Sequence, residues 1–125
     1  MATTHTVAFR NTICTQLNTN VNGGSGNGRI EIQNSSDAEV ATVTFAATAF
    51  QAPASGVMTA NTTTADSSAT GGTADHFQFQ DSDGTAYAQG DCGLSGSGME
   101  MILSTLTIAA TATVTLTTVE YTAAP

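Results

Sequence analysis

Few side chains in this sequence have the type and spacing for chemistry. The histidines are His5 and His76, and the cysteines are Cys14 and Cys92. A metal site draws Cys or His ligands from short, repeated spacings, and no second ligand stands at such a spacing from either histidine. The cysteines belong to no Cys-x-x-Cys pair. They read as two small buried thiols, with a disulfide between them as the alternative. Nucleophilic catalysis would need Cys14 or a Ser held beside a His and an orienting group, and no local signature supplies one. Gly93-Leu94-Ser95-Gly96-Ser97 comes nearest to a nucleophile elbow, but it ends on Ser97 where Gly-x-Ser-x-Gly requires Gly. Paired carboxylates could serve glycoside chemistry, yet the aromatic platforms of a sugar site are missing, with no Trp and two separated Tyr.

Two glycine-containing stretches remain. Asp81-Ser82-Asp83-Gly84 opens like a calcium loop, with Asp81 and Asp83 as the ligands. That motif carries Glu at its twelfth position, where this chain has Cys92. A turn explains the same residues, and weak calcium binding at Asp81 and Asp83 is the alternative. The run Asn22-Gly23-Gly24-Ser25-Gly26-Asn27-Gly28 follows a helix-like segment and precedes a strand, the reverse of a phosphate-binding loop. It reads as a flexible connector. No catalytic, cofactor-binding or metal-ligating residue is assigned, and the expectation is a protein that is not an enzyme.

Charge narrows the partners. The only side-chain cations are Arg10 and Arg29, there is no Lys, and the formal net charge is −8. Nucleic-acid binding requires clustered cations that displace counterions, so no nucleic acid is expected. An anionic membrane surface would repel the chain, and no apolar run approaches the roughly 20 residues that span a bilayer. The N-terminus lacks the basic and apolar regions of a signal peptide, so synthesis in the cytoplasm is expected. Val, Ile, Leu and Phe together number 22 of 125, under the level of about one-fifth below which a chain struggles to build a core. The periodicity below argues for folding nonetheless. The expectation is a thin core that assembly with other subunits completes.

The elements that would position these residues form one domain over 1–125. Residues 4–21 are the helix candidate: Phe9, Ile13 and Leu17 recur every four positions with Cys14 beside them, and Thr3, Thr4 or Thr6 could cap the start. Frequent Thr and Asn weaken its propensity. From residue 29 the period becomes two, giving a β region over 29–123. Ile30 and Ile32 share a face, as do Ala41, Val43 and Phe45. Pro53 and Gly56 precede a short strand at 57–61. Residues 61–74 read as a solvated loop. Phe77 and Phe79 alternate with His76, Gln78 and Gln80, and the Asp81–Gly84 turn returns the chain through 85–90 as a hairpin; His76 falls on the outer face. Met99, Met101 and Leu103 share a face. Leu106, Ile108, Ala112, Val114 and Leu116 follow in the opposite phase, and Val119, Tyr121 and Ala123 switch again. These changes place a crossing loop near 104–110 and a bulge near 117–118 in a long last strand. Six to eight strands after one helix give a mainly all-β fold, a jelly-roll-like β-sandwich with one N-terminal helix.

Several segments in this order resemble small β-rich bacteriophage virion proteins. They are a helix ending in an Asn/Gly-rich stretch, the strand Gly28–Ile32, the segment Thr44–Phe50, and Ser55-Gly56-Val57-Met58-Thr59-Ala60-Asn61. The stretch Asp66–Ala74 follows, leading into Phe77-Gln78-Phe79, and then come the turn Asp81–Thr85, a Gly-x-x-Gly stretch and a last Thr/Val-rich strand ending in Pro125. The order carries the resemblance, across nearly the whole chain. The chain departs from the group in a helix richer in Thr and Asn than in Ala and Leu. The resemblance implies a virion structural protein, in its sharpest form a capsid decoration or cement protein located in the virion. Its implied partners are the major capsid protein or other virion proteins, with a homo-oligomer expected, and it transfers no catalytic residue. Packaged DNA would repel a −8 subunit, which favours an outer position. Residues 1–6 and 61–74 are expected to order on contact. A neck, tail or fibre-associated component and a carbohydrate- or receptor-binding sandwich are the alternatives.

Overall fold

The computed structural model describes residues 3–125, so the first two residues of the 1–6 arm lie outside the described residues. The helix α1 spans Val7–Val21, starting later than the expected residue 4. Thr6 is its N-cap: the side-chain oxygen accepts the Phe9 N–H at 3.2 Å. Its buried residues are Cys14, Leu17 and Val21. Ile13 is partly buried against the same core, but Phe9 is 51 % exposed and contacts only the His5 ring edge-on at 5.0 Å among aromatic partners. The expected apolar face is therefore corrected by about one position at its N-terminal end. The polar residues next to Phe9 do the docking there: the Arg10 Nε donates to the Ala123 carbonyl at 3.2 Å, and the Asn11 Oδ1 accepts the Gly56 N–H at 2.8 Å.

The helix asparagines explain its poor propensity. The Asn18 Oδ1 accepts the Phe50 N–H at 3.1 Å and its Nδ2 donates to the Phe50 carbonyl at 3.4 Å. The Asn22 Oδ1 accepts the Ala49 N–H at 3.0 Å. These side chains stand in for a neighbouring strand and satisfy the backbone of the buried segment around Phe50.

Nine strands are present among the described residues: β1 Arg29–Gln33, β2 Glu39–Thr44, β3 Val57–Thr59, β4 Gly72–Thr73, β5 His76–Gln80, β6 Ala86–Gly93, β7 Met101–Ile102, β8 Thr107–Ile108 and β9 Glu120–Thr122. The molecule is mostly β. Five strands form one curled sheet in the order β2-β1-β5-β6-β7, antiparallel throughout except for the parallel β6–β7 pair. Two further pairs, β3–β9 and β4–β8, are separate two-stranded ribbons.

Alternation in β1, β2 and β5 places the core as the sequence reading expects. Ile30 pairs with Val43 and Phe79, and Ile32 with Ala41 and Phe77, all buried on the inner face. Phe45, Phe50 and Phe79 form an aromatic cluster with centroids 5.1–5.9 Å apart, inside the range in which tilted and edge-on pairs attract. The β5–β6 hairpin is the one expected, and its turn uses Gly84 at φ +91°.

Three further sequence expectations are corrected. Residues 22–28 are not a free connector. The Gly26 N–H donates to the Ser82 Oγ at 2.9 Å, and Gly28 is buried so closely that an added Cβ would lie 2.4 Å from Val21 and 2.7 Å from its carbonyl oxygen. Nor are residues 61–74 a solvated loop. Thr64 pairs with Thr44 through both backbone bonds (3.0 and 2.8 Å), the Asp66 Oδ2 accepts the Thr42 N–H at 2.8 Å, and the Gly71 N–H reaches the Val40 carbonyl at 3.0 Å. Ala69 and Ala74 are buried. The segment seals the outer edge of β2, work done by backbone groups that composition does not reveal. Finally, there is no long last strand. Among the described residues the one bridge between β8 and β9 is Asp66–Val114, with separate backbone bonds joining Ala69 to Thr111 and Ala112 and the Ala60 N–H to the Val119 carbonyl. The alternation of burial survives without the ladder: Ile108, Val114 and Ala123 are buried, whereas Met99 is 43 % exposed.

Candidate functional site

The residues of the C-terminal third arch over the inner face of the curled sheet and leave a cleft of about 730 Å³. Its floor is Ile30, Phe77 and Phe79, and its roof carries Met101, Leu103, Ile108, Val114, Leu116 and Val119. Several of these roof residues are only partly buried. The cause is local. From Ala109 to Thr118 all residues but Val114 and Leu116 are Thr or Ala, too small or too polar to fill the space beneath, and scattered bonds to residues 63–69 hold the backbone in place of a continuous ladder. The thin core anticipated from composition takes this physical form. The only titratable side chains lining the cleft are Glu100 and Glu120, both exposed. Such a surface can bury apolar area.

The outer face of the same sheet is a continuous polar network. Arg29, Glu31 and Gln33 of β1 stand opposite Gln80, Gln78 and His76 of β5. The Arg29 Nε donates to the Gln80 Oε1 at 2.8 Å, and the Gln80 Nε2 donates to the Gln78 Oε1 at 2.9 Å and the Glu31 Oε2 at 3.2 Å. The Gln33 Nε2 donates to the Glu31 Oε2 at 2.6 Å and the Gln78 Oε1 at 3.2 Å. Gln33 and Gln80 are thereby buried among polar neighbours, only 5 % and 3 % exposed. Among the described residues no buried side-chain nitrogen or oxygen lacks a partner, so the network holds register rather than offering a vacant donor. Its alternating polar residues are visible in the sequence, but their mutual pairing depends on the β1–β5 register.

His76 sits at the end of this network and is more constrained than a plain surface histidine. Its Nε2 lies 2.8 Å from the Gln33 Oε1 and 2.9 Å from the Asp37 Oδ1, and its Nδ1 lies 2.8 Å from the Asp75 Oδ2. Asp37, His76, Gln89, Gly90, Asp91 and Glu100 border a polar hollow of about 570 Å³ at the β6 end of the sheet. His5 is remote, beside the Ala124 carbonyl at 3.3 Å.

Asp81 is committed to its turn. Its Oδ1 accepts the Asp83 and Thr85 N–H groups at 2.9 and 3.0 Å, and its Oδ2 accepts the Tyr87 hydroxyl at 3.1 Å. Burial opposes the charge, but the donors from Thr85, Asp83, Tyr87 and Gly84 together hold its carboxyl below the ordinary 3.8. The Asp83 side chain is exposed, and among the described residues no three His, Cys, Asp or Glu side chains gather as metal ligands. Cys14 and Cys92 are free and buried, as the thiol reading expects. The Cys14 Sγ donates to the Gly56 carbonyl at 3.4 Å, and the Cys92 Sγ lies 3.7 Å from the Met101 sulfur. Burial, with Asp75 and Asp91 adding repulsion, pushes the Cys92 thiol up to about 11. Such a thiol is a poor nucleophile.

No family model, curated protein or solved structure matches the chain.

Proposed function

We propose that this protein is a structural component of a bacteriophage particle, a decoration or cement protein that stabilises the outer capsid shell by binding the major capsid protein. The observation that carries the reading is the open cleft. A chain of 125 residues that leaves about 730 Å³ beneath its own C-terminal segment gains stability when a neighbour covers that apolar surface. Leu94 and Ile102, 47 % and 49 % exposed, extend the apolar surface near one end of the sheet. The acidic, Lys-free composition supports an outer position, away from packaged DNA. The finer fold reading belongs to the same proposal: the ribbons β3–β9 and β4–β8 are the reduced second layer of a jelly-roll-like sandwich. The reading is tested by a particle map and by binding to assembled shells. Hundreds of copies spread over the shell, and binding to shells in preference to free capsid subunits, are expected. A single ring at one vertex would transfer the protein to the neck or tail, and glycan binding without a particle would transfer it to a receptor-binding role.

A further inference from the structure

The two edges of the main sheet differ. The β2 edge is sealed by residues 64–71. At the other end, β7 pairs only with Cys92 and Gly93 of β6. Among the described residues no strand pairs with Ala86–Gly90 on the side away from β5. Ala86, Tyr87 and Gln89 are exposed. The direction of the backbone groups follows from their neighbours. The Cys92 N–H points back across the sheet to the Asp75 carbonyl at 2.9 Å, whereas the Asp91 N–H points outward to the Glu100 Oε1 at 3.2 Å. Alternation along a strand then turns the Gln89 N–H and C=O outward as well. An uncovered edge of this kind is a template for another strand.

The surroundings select what that strand carries. On the outer face the polar hollow beside Gln89 holds the carboxylates of Asp37, Asp91 and Glu100. On the inner face β6 offers Ala88 and Gly90, opposite Phe79 and Phe77, whereas Ala86 lies past the bulge opposite Gln80. The Phe77 ring lies so close to Gly90 that an added Cβ would be 2.8 Å from it. An incoming strand would therefore meet negative charge on one face and a shallow apolar surface on the other.

We propose that the open edge of β6 accepts an extended segment of a partner protein. One Lys or Arg of that segment sits in the hollow of Asp37, Asp91 and Glu100, and an apolar residue on its other face lies against Ala88. The mode is strand addition, in which main-chain bonds give affinity and alternate side chains give specificity. A second copy does not fit this description. The chain has no Lys, and its two Arg are engaged, Arg10 with the Ala123 carbonyl and Arg29 with Gln80. Two −8 chains also repel.

The inference rests on the reading of the chain as an assembling structural protein, but its test needs no particle. The probe is a fluorescein-labelled peptide of about eight residues in which Lys alternates with Ile and Thr, added to the full chain at low salt and followed by anisotropy and by the amide signal of Gln89. Binding is expected, with the Gln89 amide among the most shifted. The same peptide N-methylated on alternate amides should not bind, and neither should a version with Glu in place of Lys. The double variant D91N/E100Q, which leaves the backbone untouched, should bind about fivefold more weakly, with the difference shrinking as salt rises. No binding at millimolar peptide, equal binding of the N-methylated or Glu peptide, or unchanged affinity in D91N/E100Q would each overturn the proposal. So would sedimentation showing a dimer that Gln89→Pro dissolves, because the occupant would then be a second copy. Copy number in the particle map is unaffected by any of these results, so failure of the edge proposal and failure of the virion reading are told apart.

Discussion

Replacing Asn18 by Ala sets two physical effects against each other, and their magnitudes decide the outcome. By helix propensity alone, Asn→Ala within α1 should stabilise by about 0.6 kcal/mol. Against this stands the backbone of Phe50, a residue only 1 % exposed. Phe50 bridges Ala60, but the backbone bonds of that pairing come from the flanking residues, Gln51 N–H to the Thr59 carbonyl and Asn61 N–H to the Ala49 carbonyl, both at 2.9 Å. The N–H and C=O of Phe50 itself face the helix and find Asn18 at 3.1 and 3.4 Å. A buried backbone group left without a partner costs about 1–3 kcal/mol. Counting the N–H in full and the longer carbonyl contact in part, the net loss for Asn18→Ala is about 2 kcal/mol. For a domain of this size that moves the urea midpoint down by about 1 M at unchanged m. Thr19→Ala, one residue on and exposed, is the control and should raise stability by about 0.5 kcal/mol. Asn18→Asp, which keeps the acceptor for the Phe50 N–H and loses the donor, should fall between. Circular dichroism in urea measures all three. An Asn18→Ala midpoint equal to or above that of the parent would refute the assignment of the helix asparagines as backbone partners.

Gly28→Ala should destabilise by about 2 kcal/mol or fail to fold, because the new methyl meets Val21 and the Gln80 carbonyl oxygen rather than a flexible side-chain end; thermal melts measure it. The Cys92 thiol, pushed up to about 11, should alkylate with iodoacetamide at pH 8 about a hundredfold more slowly than an exposed thiol, a ratio that mass spectrometry before and after denaturation supplies. For Asp81 the sign follows from a folded-state pKa lowered below 3.8. Its contribution is present above the unfolded value and is lost as pH falls through the folded one, so stability should drop below about pH 4. Asp81→Asn should flatten that part of the pH–stability curve, and an unchanged acid limb would show that Asp81 is not the group responsible.

The hairpin and the inner face of the sheet were legible because their signal is local. Phe77 and Phe79 alternate strictly with polar residues, and Ile30, Ile32, Ala41 and Val43 repeat the same period, so burial follows directly. The helix was legible, but its face was displaced because Arg10 and Asn11 dock it through hydrogen bonds that hydrophobic spacing does not register. Residues 61–74 read as a loop because Thr, Ser, Ala and Gly carry no periodic signal; their order comes from backbone pairing with β2, far off in sequence. The same non-locality hid the cleft. Its emptiness is a relation between Phe77 and Phe79 on one side and the small residues after Ile108 on the other. A shortage of large aliphatics warned that something would be unfilled without saying where.

One edge of the sheet is closed by residues 64–71 and the other is open along β6, and this difference sets a valency. A head-to-tail stack of identical sheets needs two free edges per unit, one to give and one to receive. The main sheet has a single open long edge among the described residues, so edge-to-edge pairing of main sheets alone would stop at a pair and not extend into a filament.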